Sequence, residues 1–259
     1  MSTRGTTSDG RLSGKTALVT GGSRGIGRGI AERLGRDGAR VAVHYGGNEA
    51  AAKETVAAIE AAGGSAFALG QELGIEGDAA ALWAEYDRLT GSAGVDIVIN
   101  NAGIAKPDPF TEISEQTYDR YFAVNTKAPF FVVREGLSRL RDGGRVINIS
   151  SGLARVGQMP EMIAYAMTKA ALDAFSLNLS KVLGPRGITV NSLAPGVIDT
   201  DMNAWLHDSD EIWAGEAARA ALGRVGTAGD IADAVAFLAS DDGRWVTGAW
   251  LDVSGGTMP

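Results

Sequence analysis

From Lys15 onward the chain repeats one beat: a short run rich in Val, Ile and Ala, then a longer stretch whose apolar residues fall at helical spacing. TALVTG is followed by Ile26 to Leu34 and ARVAVHY by Glu49 to Ala62, and the beat continues through SAFALG, DIVINNAG, GGRVINISS and GITVNSLAPG. Asp230 to Ala239 carries Ile231, Val235 and Leu238 on one helical face before a last run, TGAWLDVSGG. Short apolar runs bounded by turn residues fit buried strands, and parallel strands need a crossover long enough for a helix. The pattern predicts an α/β fold in which a doubly wound parallel sheet of about seven strands carries helices on both faces.

A chain of 259 residues, 45% of them hydrophobic, holds one sizeable core. A single domain is expected over residues 14–259, with no linker and no internal repeat. Residues 1–13 are polar and are expected to form a loose tail. The one long irregular stretch, about 199–224, is expected to be an insertion over the substrate.

Several function classes fall away on composition. The chain has no cysteine, which excludes disulfide frameworks and thiolate chemistry and fits a reducing, cytoplasmic setting. A net charge of -7 with no basic face argues against nucleic acid as a partner. No apolar run is long enough to span a bilayer, so no membrane association is expected. The only histidines are His44 and His207, with no nucleophile elbow and no ligand cluster, so neither triad hydrolysis nor a metal site is expected.

Directly after the first strand comes Thr20-Gly21-Gly22-Ser23-Arg24-Gly25-Ile26-Gly27, and a helix begins on it. Unpaired backbone N–H groups and the helix dipole there favour an anion, and glycines let a pyrophosphate approach closely. A tight strand-to-helix turn with no ligand is the plain alternative. Position at the first turn of the alternating pattern favours a Rossmann-type dinucleotide site. A phosphate-loop hydrolase is excluded, because Arg28 and Gly29 stand where Lys and Ser or Thr are required.

Tyr165 and Lys169 lie one helical turn apart in a stretch expected to be a helix from Met162 to Leu183. A tyrosine of pKa about 10 is a poor proton shuttle at neutral pH, and bringing it to neutrality takes about 4 kcal/mol, which a nearby ammonium in a dry pocket can largely supply. Alone, such a pair is equally an anchoring ring beside a surface charge. Ser150 and Ser151 add weight, because they end a strand where open α/β sheets bind ligands. Successive strand residues point to opposite faces, so one of the two serves the pocket; Ser151 is preferred and Ser150 is the alternative.

Taken together, TGGSRGIG, NNAG at Asn100 to Gly103, the serine, YAMTK and APG resemble the short-chain dehydrogenase/reductase family, notably 3-oxoacyl-[acyl-carrier-protein] reductases, from about Lys15 to Gly256. The resemblance implies a catalytic tetrad of Asn125, Ser151, Tyr165 and Lys169. Ser151 and Tyr165 would polarise the carbonyl, Lys169 would also hold the nicotinamide ribose, and Asn125 would position a water in a proton relay. Ser151 precedes Tyr165 by one residue more than is commonest, which implies a one-residue insertion in the loop from Gly157 to Ile163.

NADP(H) is the expected cofactor. Tyr45 stands where family members using NAD carry an acid, and Gly46 to Asn48 supply none. Arg24 resembles the basic residue that NADP users set against the 2′-phosphate, although a lone turn arginine is often merely solvated. The resemblance also implies cofactor contacts from Gly21, Ser23, Gly25, Ile26 and Gly27, from Glu72 and Leu73 near adenine, and from Asn101, Ala102 and Gly103 along the ribose. Pro195, Gly196, Ile198 and Thr200 would lie at the nicotinamide end, beside Tyr165 and Lys169.

The expected activity is hydride transfer between nicotinamide and a ketone or secondary alcohol, in the direction of carbonyl or 3-oxoacyl reduction, with Tyr165 transferring the proton. Met159, Met202 and Trp205 are the expected substrate contacts and suit a hydrophobic or aromatic compound, though such residues also serve as ordinary packing. A small-molecule carbonyl or acyl thioester is the expected partner, and the resemblance implies a homotetramer packed through the helices Ser114 to Arg139 and Met162 to Leu183 and through the C-terminal strand Trp250 to Val253. A non-catalytic NADP(H)-binding sensor or scaffold of the same fold is the alternative.

Overall fold

β-Branched residues fill the short runs, and in the computed structural model, which describes residues 10–257, seven of these runs are parallel strands. In chain order the elements are β1 (Thr16–Val19), α1 (Gly25–Arg36), β2 (Arg40–Tyr45), α2 (Glu49–Ala61), β3 (Ser65–Gly70), α3 (Asp78–Thr90) and β4 (Val95–Asn100). The second half adds α4 (Glu115–Phe122), α5 (Ala128–Gly136), β5 (Leu140–Ile149), α6 (Ile163–Leu183), β6 (Thr189–Pro195), α7 (Asp210–Arg219), α8 (Ala228–Ala239) and β7 (Trp250–Val253). The sheet order is β3-β2-β1-β4-β5-β6-β7. Strand order reverses between β1 and β4, which opens a crevice at their carboxyl ends.

Alternate strand residues feed two cores. On β1, Ala17 and Val19 pack towards α1 and α8, while Leu18 packs on the opposite face towards α3 and α5. Ile97 and Ile99 of β4 join the first core and Val98 the second. Each fully buried Val, Leu or Ile among them contributes about 1.5–3 kcal/mol of transfer free energy, so the sheet register is firmly set.

Two expectations about the backbone change. The stretch from Ser114 to Arg139 is not one continuous helix: α4 widens into a π-helical turn at Ala123–Lys127 before α5 begins. Pro129, in the first turn of α5, has no N–H to give the carbonyl of Asn125 four residues earlier, so the regular α-helical hydrogen-bond ladder is interrupted at this point. The loose tail also ends sooner than residue 13. Leu12 is buried at 2% exposure and its N–H donates to Asp37 O at 2.8 Å, because this apolar side chain finds room beside α1. Residues 1–9 of that tail lie outside the described residues.

The 199–224 stretch has structure of its own, a 3-10 segment at Asp201–His207 followed by α7, whose first turn is capped by Ser209 Oγ accepting from Ile212 N at 3.2 Å. Among the described residues no helix is long and apolar enough to cross a membrane.

Candidate active site

The glycine-rich turn is held by its neighbours. Asn101 Nδ2 donates to Thr20 O at 2.9 Å and to Gly21 O at 3.1 Å, while Thr20 Oγ1 accepts from the N–H groups of Asn101 at 3.0 Å and Ala102 at 3.1 Å. A side chain at Gly27 would collide with Gly21 O and Asn101 Nδ2, so the helix packs this close only with glycine. Gly21 itself has φ +63°, a left-handed conformation that glycine adopts without strain. No side chain caps α1, so the turn presents bare backbone N–H groups.

His44 on β2 supports the turn from behind. Its Nδ1 accepts from Gly21 N at 3.0 Å and its Nε2 pairs with Gln71 O at 2.8 Å, which fixes the neutral tautomer with the proton on Nε2. Burial pushes its pKa from 6.5 down to about 4, against a smaller upward pull from the Gln71 carbonyl and the Asp78 charge.

Gly21, Arg24, Gly25, Ile26 and Gly27 line a cavity of about 520 Å³ at the carboxyl end of the sheet. Asn101, Ala102 and Gly103 after β4, and Pro195, Gly196, Ile198 and Thr200 after β6, line the same cavity. Ser23, Tyr45, Glu72 and Leu73 lie outside it. The Ser23 carbonyl accepts from Thr55 Oγ1 at 3.3 Å, and the Tyr45 ring closes over Gly70. Glu72 is paired with Arg120 at 3.0 Å, and the same guanidinium holds the carbonyls of Leu73 and Gly74.

Ser151, Tyr165 and Lys169 line the cavity together. α6 carries Tyr165 and Lys169 on one face, with Lys169 Nζ 5.6 Å from the centre of the tyrosine ring and donating to Ile149 O at 2.7 Å. Ser151 sits beside the Tyr165 phenol, with its Oγ accepting from Leu153 N at 3.2 Å. Ser150 also lines the cavity, but its hydroxyl is engaged with α6, donating to Lys169 O at 3.4 Å. Asn125 is fully buried behind the cavity wall: its Oδ1 accepts from Ile104 N at 2.8 Å and its Nδ2 donates to Ile104 O and Thr168 Oγ1. The amide thereby locks the segment after Gly103 against α6.

The Tyr165 titration runs against the expected direction. Burial pushes the phenol up to about 12, with the Ser151 hydroxyl pulling it partly back, and burial also pushes Lys169 down to about 8 against the attraction of Asp173. A dry pocket penalises both charged forms, the phenolate and the ammonium alike.

Met159, Met202 and Trp205 roof the cavity with Met162, Val156 and Leu153. Sequence reasoning passed over Gln158, Asn203, Glu216 and Arg219, which also line it. Glu216 and Arg219 pair at 3.0 Å on α7. Their three-residue spacing is a helical signal, but it lies in the 199–224 stretch, whose sequence lacks the regular beat of the rest of the chain. Among the described residues no group of three or more His, Asp or Glu could hold a metal ion.

Comparison with known proteins agrees with this architecture. The family model described as "Enoyl-(Acyl carrier protein) reductase" matches residues 21–258. A hydroxynaphthalene reductase-like protein Arp2 from Metarhizium brunneum is 40% identical over 258 residues, covering 95% of this chain and 96% of the relative. Among solved structures, LugOII, described as a promiscuous reductase that catalyses keto-reduction at C1 during lugdunomycin biosynthesis, superposes with a TM-score of 0.91 at 50% identity, covering 96% of this chain and 100% of the other. The angucycline C-6 ketoreductase LanV, solved with bound NADP, also gives 0.91, at 47% identity and coverage of 96% and 97%.

Proposed function

The chain belongs to the short-chain dehydrogenase/reductase family, and we propose that it reduces a ketone on a fused-ring aromatic compound, with Ser151, Tyr165, Lys169 and Asn125 as its working side chains. Its class of activity is NADP(H)-dependent hydride transfer between nicotinamide and a ketone or secondary alcohol. The observation that carries the residue assignment is the convergence of Ser151, Tyr165 and Lys169 on one wall of a cavity whose other end is the bare-backbone glycine turn. That turn, which has no room for a side chain at Gly27, and Arg24 beside it fit a dinucleotide carrying an extra phosphate.

When bound, NADPH supplies the hydride that adds to the carbonyl carbon. Arg24, Gly25, Ile26, Asn101 and Lys169 would hold it, with Tyr45, Glu72 and Leu73 towards the adenosine end and Pro195 to Thr200 at the nicotinamide. Tyr165, at a pKa of about 12, carries its proton at neutral pH and gives it to the carbonyl oxygen as negative charge develops there. The Ser151 hydroxyl donates a hydrogen bond to the same oxygen. Lys169 offsets the charge of the tyrosinate left behind, and Asn125 keeps the Ile104 peptide and α6 in register while that charge appears. The products are a secondary alcohol and the oxidised cofactor, and solvent returns the proton to Tyr165.

The roof of Met159, Met202 and Trp205 supports a flat aromatic substrate, a reading in line with relatives named an angucycline C-6 ketoreductase and a hydroxynaphthalene reductase-like protein. We further propose one domain over residues 14–259 working as a cytoplasmic homotetramer. Supporting the assembly, Tyr118, Phe130, Ile163, Met167, Leu177 and Val182 expose apolar surface on α4, α5 and α6. The test is NADPH oxidation by the purified protein with bicyclic aromatic ketones and with 3-oxoacyl thioesters. Tyr165→Phe is expected to lose about 10²–10⁴-fold in turnover while still binding NADPH. Undiminished turnover in that variant overturns the assignment, and NADPH binding without turnover of any carbonyl by the wild type returns the sensor alternative.

A further inference from the structure

Lys169 is buried to 3% exposure, and the hydrogen bond found for its ammonium is the one to the Ile149 carbonyl. A charge so placed needs a counter-charge, or it sheds its proton. The groups around it come from four elements. β5 and the residue after it contribute the Ile149 carbonyl and Ser150, the π turn contributes Asn125, α6 contributes Tyr165 and Asp173, and the chain after β4 contributes the Gly103 backbone. Among the described residues, Asp173 is the carboxylate whose charge acts on Lys169.

Asp173 lies one turn beyond Lys169 on α6, facing the sheet. Burial pushes its carboxyl above the ordinary carboxylate range, while the Ser150 hydroxyl at the end of β5, the Ser192 hydroxyl on β6 and the charges of Arg155 and Lys169 pull the other way and favour the ionised form. Arg155 is steadied in turn by stacking 4.1 Å above the Trp250 ring of β7. Ser192 is tied into a buried chain, donating to Ser176 Oγ at 2.8 Å while Asn148 Nδ2 donates to the same oxygen at 2.7 Å. Asp173 Oδ1 is nonetheless buried without a hydrogen bond. The carboxylate is held beside the two serine hydroxyls one helical turn from a buried ammonium, and a charge so held acts on that ammonium through space without a direct contact.

We propose that Asp173 is a positioning residue for the reaction: its carboxylate is the counter-charge that keeps the Lys169 ammonium charged inside the dry site. The inference rests on Lys169 and Tyr165 being the reacting pair. Without Asp173, Lys169 loses its proton at lower pH, and the tyrosinate formed during turnover loses its compensating charge.

The test is an NMR titration of the protein labelled at lysine Cε, with the Lys169 resonance identified by its absence from Lys169→Arg. Asp173→Asn is expected to lower the Lys169 pKa by about half a unit to one unit, since removing a neighbouring opposite charge disfavours the ammonium. Asp173→Glu is expected to restore most of the difference, and Asp173→Ser, smaller and uncharged, repeats the test should the amide disturb packing. In parallel, the alkaline limb of kcat/KM for reduction of 2-tetralone with NADPH should move to lower pH in the same variants. A Lys169 pKa unchanged in both Asp173→Asn and Asp173→Ser overturns the proposal. The failure of the underlying assignment looks different, because Tyr165→Phe would then keep its turnover whatever Lys169 does.

Discussion

The bond between His44 Nδ1 and the Gly21 N–H requires an unprotonated nitrogen, so acid should attack the glycine turn through β2. Burial lowers the His44 pKa from 6.5 to about 4, meaning the fold favours the neutral ring. Stability from this group is therefore full above the unfolded value and drains away as pH falls towards the folded one. The complete difference is worth about 3 kcal/mol, of which about 2 kcal/mol is expressed between roughly pH 7 and pH 5. For a single side chain that is a large share of a typical stability of about 5–15 kcal/mol.

The variant to compare is His44→Asn, whose amide oxygen can take the Nδ1 place as acceptor for Gly21 but does not titrate. Urea unfolding of both proteins at pH 7, 6 and 5 isolates the histidine, because every other titrating group, Asp173 included, is present in each and cancels in the difference. Wild type should lose about 2 kcal/mol more than the variant over this range. Lys169 and Tyr165, at about 8 and about 12, titrate on the other side of neutrality and leave the window clear. Parallel pH curves for the two proteins would show that His44 is not held neutral by the fold, and the argument for its role beneath the turn would fail.

Arg24→Ala should raise the KM for NADPH about ten- to a hundredfold, the worth of a charged hydrogen bond, while leaving that for NADH nearly unchanged. Equal effects on the two cofactors would remove Arg24 from the 2′-phosphate. Trp205→Ala should lower kcat/KM for 2-tetralone about tenfold or more through lost aromatic contact. A small aliphatic ketone such as butanone should be little affected, and an equal loss on both would mean that Trp205 only packs the roof.

The parts of the site that were legible in the sequence are those fixed by backbone periodicity. Tyr165 and Lys169 share a face because one helical turn separates them, and the glycines stand at the first crossover because no side chain fits at Gly27. Ser151 was separable from Ser150 only as a preference, since strand alternation says that one faces the pocket but not which. Asn125 looked like one more residue of a continuous helix. The π turn that carries it comes from Pro129 four residues later, a cue that was present but read as helix interior. His44 gave no signal at all, because a lone histidine at the end of an apolar strand does not reveal which backbone amide it will meet.

Electrostatics was the least legible property, and the Tyr165–Lys169 pair explains why. From the sequence, a lysine near a tyrosine predicts a phenol pulled towards neutrality, which is a statement about attraction alone. The folded site adds desolvation, and with both groups at the bottom of a cavity roofed by methionines and tryptophan the sign for the phenol reverses. That reversal suits ketone reduction, in which the phenol must arrive carrying its proton. The ammonium is needed only after the proton has left, so its charge must survive the same dryness that keeps the phenol neutral. A half-buried carboxylate one turn away meets that requirement without entering the cavity, which is why the useful neighbour of Lys169 lies behind the site, on the side facing Ser150 and Ser192.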